Sequence, residues 1–110
     1  MKKTLNLVLA AVTTMGLTFS AQADDYITLA STTSAQNSGL FDSILPKFEE
    51  ATGIEVRVVA VGTGQAFELA RRGDADSLLV HDTAGEKRFV ENGFATERAD
   101  VMYNDFVLIG

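Results

Sequence analysis

The sequence predicts an α/β fold built on a parallel sheet. Short strand-like segments alternate with stretches of helical periodicity, and each pair of strands is separated by enough chain for a crossover helix. The segments following the first two strands are rich in Ser, Thr and Gly, as at the ligand-binding rim of open α/β sheets. With 110 residues, 46% of them apolar, the chain can build a core but no more than one small domain.

The chain opens on Met1-Lys2-Lys3, continues through an apolar stretch from Leu5 to Phe19 and reaches Ala21-Gln22-Ala23. A positive start, a short apolar run and a small-x-small end predict a secretory signal peptide over residues 1–23, with cleavage after Ala23. The run is too short and too often broken by Thr for a stable membrane span. A periplasmic location is therefore expected for residues 24–110.

Tyr26 to Ala30 sets Ile27 and Leu29 against Thr28, and Ile54 to Val61 sets Ile54, Val56 and Val58 against Glu55 and Arg57. Both patterns predict strands. Between them Leu40, Phe41, Ile44, Leu45, Phe48 and Ala51 recur at helical spacing, with Gly53 at the place of a left-handed C-terminal cap. Pro46 lies inside this pattern and predicts a kink or a later helix start.

A second helix is expected over Gln65–Arg72, ending at Gly73. A short strand is expected over Ser77–His81, then a helix capped by Thr83 with Glu86 and closing at Asn92-Gly93. The apolar run Phe106 to Ile109 predicts a further strand. Because that run stands immediately before Gly110, with nothing after it to cover the core, the chain is expected to be a truncated part of a larger domain.

Fifteen acidic against nine basic residues give a formal charge of -6, and the densest basic run is Arg71-Arg72, so nucleic acid is excluded as a partner. The absence of Cys removes disulfides, thiolate metal sites and a Cys nucleophile. Gly62-Thr63-Gly64 is not a phosphate-binding Walker loop, and Phe67 stands where a dinucleotide fingerprint needs a small residue. Asp74, Asp76, Asp82 and Asp105 fit no known metal spacing and are expected to be solvated turn acids; neither a metal nor a cofactor is expected.

Two segments remain as candidate chemistry: Ser31 to Gly39 after the first strand, and Gly62 to Gln65 after the second. They offer hydroxyls and glycine-flanked amides but no charged side chain. Neutral donors at helix N-termini suit a fully ionised oxyanion, since each charge-assisted hydrogen bond contributes about 1.5–3 kcal/mol against dehydration. The plain alternative is that the Ser and Thr residues cap helices and the glycines make turns.

Taken together, Leu29-Ala30-Ser31-Thr32-Thr33-Ser34-Ala35-Gln36-Asn37-Ser38-Gly39-Leu40 and Val59-Ala60-Val61-Gly62-Thr63-Gly64-Gln65-Ala66 resemble the tungstate-binding proteins of ABC uptake systems. Arg71-Arg72-Gly73-Asp74-Ala75-Asp76, Leu79-Val80-His81 and Val101-Met102-Tyr103-Asn104-Asp105-Phe106-Val107 look like later segments of the same family.

The resemblance implies a type II periplasmic binding protein, with two α/β lobes closing over an oxyanion. Residues 24–110 are then the N-terminal part of the first lobe, ending at a crossover strand. It implies ligand contacts from Thr32, Thr33, Ser34, Thr63 and Gly64, a tungstate or molybdate ligand, a membrane permease as partner, a monomeric receptor and no catalysis. Ser31 and Ala35 depart from the family's Thr-Thr-Thr-Ser-Thr pattern, and a basic ligand residue is expected beyond Gly110.

The competing reading is a secreted α/β hydrolase or phosphatase with a loop Ser or Thr as nucleophile and His81 as base. His81 is the only His, and no Gly-x-Ser-x-Gly elbow accompanies it.

Overall fold

The computed structural model describes residues 25–110; the signal peptide expected over 1–23 lies outside them. Three parallel strands form one sheet in the order β2-β1-β3, with β1 spanning Tyr26–Thr32, β2 Glu55–Val61 and β3 Ser77–Leu79. The helices are α1 (Thr33–Asn37), α2 (Leu40–Thr52), α3 (Thr63–Arg71) and α4 (Thr83–Glu91). The α/β class and parallel pairing read from the sequence are those of the structure. No helix among the described residues is long and apolar enough to cross a membrane.

β1 is the central strand and carries the core, with Leu29, Ala30, Ser31 and Thr32 all buried. A strand flanked by helices on both faces loses its outer polar face, which is why clean alternation fades after Thr28. Ala30 of β1 and Ala66 of α3 have no exposure at all, and α3 rests mainly on β1. Small residues there let helix and sheet approach closely. α4 joins this layer through aromatic contacts: the Phe67 and Phe89 rings lie 5.5 Å apart, and Phe89 and Phe94 5.4 Å apart.

α2 runs unbroken from Leu40 to Thr52 with Pro46 inside it, so the expected later start is not adopted. Proline removes one donor and crowds the preceding turn. The apolar face of α2, anchored by buried Phe41, outweighs that cost. Gly53 closes α2 at φ 72°, with its N–H donating to the Glu49 carbonyl at 2.8 Å.

Three boundaries differ from the sequence reading. β1 continues to Thr32, and the following residues wind into α1 instead of forming an open loop. β3 stops at Leu79, two residues short of His81, where its register with β1 ends at Ser31. Phe106–Ile109 joins no strand: these residues are 77–104% exposed, because a strand needs a partner ladder as well as an apolar sequence.

The acidic turns are more committed than expected. Asp76 accepts from the Thr28 N–H at 2.9 Å while its own N–H donates to the Thr28 carbonyl at 2.9 Å, which starts β3 against β1. Asp74 pairs with Arg72 at 3.1 Å on the surface.

Candidate functional site

The site is built at the carboxyl edge of the sheet. The register pairs Thr32 with Val61, so β1 and β2 end side by side and α1 and α3 start from neighbouring points. Of the five residues read as anion contacts, Thr32 is the last of β1, Thr33 and Ser34 open α1, and Thr63 and Gly64 open α3. Thr63 and Gly64 thus stand in a helical first turn, where the sequence reading had placed a loop.

α3, like α2, starts from a glycine without a side-chain cap. Its N-cap is Gly62, in extended geometry at φ -67° and ψ 157°, with no side-chain cap. The first intrahelical bond is Ala66 N–H to the Gly62 carbonyl at 2.9 Å. Helix geometry therefore leaves the N–H groups of Thr63, Gly64 and Gln65 without an intrahelical acceptor, beside the positive end of the helix dipole. Gly62 and Gly64 have nothing within 4 Å of where a Cβ would stand, so this surface is open.

α4 is closed by contrast. Asp82 caps it, its Oδ1 accepting from the Gly85 N–H at 3.0 Å, and Thr83 is the first helical residue rather than the cap expected from the sequence. A carboxylate there satisfies the terminal donors internally and repels anions.

At α1 the hydroxyls already interact with one another. Thr32 is buried; its Oγ1 accepts from the Ala35 N–H at 3.3 Å and lies 3.1 Å from Ser34 Oγ. Thr33 and Ser34 are exposed. Ser31, whose replacement of the family's Thr left the donor count open, is fully buried and donates from Oγ to the Leu79 carbonyl at 2.6 Å. It ties β3 to β1 and is not available to a ligand. Ser38 is likewise engaged, donating to the Ala35 carbonyl at 2.5 Å.

No group of metal-ligating side chains forms among the described residues. A groove of about 1280 Å³ is lined by Ile27, Leu29, Phe41 and Phe48 and also by Thr32, Ser34 and His81. Its apolar side chains suit packing; the Thr32 and Ser34 hydroxyls lie in its lining, as does Arg98, which is paired with Glu86 and Asp100.

A family profile described as a PBP superfamily domain matches residues 18–110. The chain belongs to the PBP superfamily. Among the curated relatives of this PBP chain, the tungstate-binding protein TupA of Peptoclostridium acidaminophilum is 57% identical over 89 residues, covering 81% of this chain and 31% of the relative. Among solved structures, the tungstate-binding protein TupA from Desulfovibrio alaskensis G20 superposes with a TM-score of 0.72 at 49% identity, over 74% of this chain and 32% of that one.

The tungstate ABC transporter protein from Geobacter sulfurreducens gives 0.72 at 47% identity, over 76% and 36%. The PBP chain thus spans about a third of the length of these relatives. The hydrolase alternative finds no support. These relatives are named for tungstate binding or transport, and among the described residues no hydrogen bond joins His81 to a hydroxyl.

Proposed function

We propose that this PBP chain forms part of a periplasmic receptor that captures tungstate, or molybdate, and delivers it to a membrane permease without breaking a bond. The observation that carries the reading is the side-by-side placement of the open α3 N-terminus and the Thr32–Ser34 hydroxyls. A tetrahedral dianion needs several converging donors, and residues 31–39 and 62–65 hold no acidic side chain. Relatives named for tungstate binding carry the same stretch of chain, which supports the choice of anion.

In this reading Thr33, Ser34, Thr63 and Gly64 donate to the anion, while Thr32 positions Ser34 and caps α1. Periplasmic export through residues 1–23 and action as a monomer belong to the same proposal. Calorimetric titration of the protein encoded by the complete reading frame with tungstate, molybdate and sulfate tests it. Tight one-to-one binding of tungstate with weaker binding of sulfate is expected, and equal affinity for sulfate and tungstate overturns the selectivity.

A further inference from the structure

His81 was read as the base of an alternative hydrolase and is left without a role in the receptor. The position of β3 gives it one. Ser77–Leu79 pairs with Leu29–Ser31, and the buried Ser31 hydroxyl locks to the Leu79 carbonyl at 2.6 Å. The end of β3 is therefore pinned against the end of β1, and the two residues that follow, Val80 and His81, emerge at the rim that holds Thr32 and Thr33. His81 is exposed and lines the same groove as Thr32 and Ser34.

We propose that His81 is a further, proton-dependent contact to the bound oxyanion, an inference that rests on the receptor reading above. Across the rim segments 31–39, 62–65 and 80–81, His81 is the one ionisable side chain. The charged groups around it are Asp76, Asp82, Glu86, Glu97, Arg98 and Asp100; Asp76 is held by the Thr28 N–H at 2.9 Å. Asp82 caps α4 through Gly85, Glu86 pairs with Arg98 at 3.5 Å, and Arg98 also holds Asp100 at 2.6 Å.

Residues 33–37 of α1 carry no charge. Every other donor at the site is neutral and insensitive to pH. A dianion beside a histidine side chain favours its protonated form, so binding takes up a proton. Affinity then rises as pH falls, because the complex binds more protons than the free receptor.

The test is calorimetry with sodium tungstate at pH 6.5, 7.5 and 8.5, on the protein encoded by the complete reading frame, in buffers of different ionisation enthalpy. Wild type is expected to tighten on the order of tenfold from pH 8.5 to 6.5, with a buffer-dependent heat that reports proton uptake. His81→Gln, which keeps a neutral donor, is expected to bind more weakly than wild type at pH 6.5 and to lose both the slope and the proton uptake. Its thermal melt at pH 8.5 is expected to be unchanged, which separates a binding role from a structural one. Tungstate binding that is flat with pH in wild type, or a slope that survives in His81→Gln, overturns the inference and leaves the receptor standing. No binding at any pH overturns both.

Discussion

Gly62→Asp separates helix capping from anion binding, because it changes the two in opposite directions. Gly62 is the N-cap of α3 at φ -67° and ψ 157°, a geometry open to any residue, and an added Cβ meets nothing within 4 Å. Asp is a favoured N-cap residue, so its carboxylate is expected to accept from the first-turn N–H groups and stabilise the fold by a few tenths to about 1 kcal/mol.

The same carboxylate then occupies the donors meant for the ligand and faces a dianion at about 6 Å, a repulsion of about 5 kcal/mol at an effective dielectric near 20. Side-chain movement and salt reduce that figure, and a loss of affinity of about 100-fold or more remains. Thermal melting and tungstate calorimetry on the same preparation check both arms, with Gly62→Ala as the neutral control. A variant that melts higher and still binds tungstate as tightly as wild type refutes the assignment of the site to the α3 N-terminus.

Three further outcomes follow from the same geometry. Thr63→Val keeps the shape of the side chain but removes one hydroxyl donor, so tungstate affinity is expected to fall about tenfold by calorimetry while the melting curve stays in place. Ser31→Ala leaves the half-buried Leu79 carbonyl without its 2.6 Å donor and is expected to cost about 1–2 kcal/mol in urea unfolding. Asp82→Ala removes the cap of α4 and is expected to cost about 1 kcal/mol in the same assay, with binding to the α3 rim retained.

The strand and helix order was legible because apolar spacing records which face of each element is buried. Ile27, Leu29, Val56 and Val58 announced a sheet, and the α2 face from Leu40 to Ala51 announced a helix. What stayed hidden depends on partners distant in sequence. Nothing in the neighbourhood of Ser31 shows that its hydroxyl is spent on Leu79, 48 residues away, or that Asp76 completes the ladder at Thr28.

Thr63 and Gly64 read as a loop because Gly flanks them, yet the backbone of Gly64 fits a helical first turn whose cap needs no side chain. Asp82 is masked as a cap in the sequence because Thr83 with Glu86 makes the more familiar pattern. An acid directly ahead of a helical run was the available signal. Phe106–Ile109 shows the limit of periodicity: an apolar run states that burial is wanted, while the ladder that makes a strand depends on chain elsewhere.

The most direct measurement is a crystal structure of the protein from the complete reading frame with tungstate bound, the metal located by its anomalous signal. The account predicts the anion at the rim shared by β1 and β2, with its oxygens about 2.7–3.1 Å from the N–H or hydroxyl groups of Ser34, Thr63 and Gly64. Tungstate seated away from the α3 N-terminus, with Thr33, Ser34 and Thr63 all turned to solvent, contradicts it.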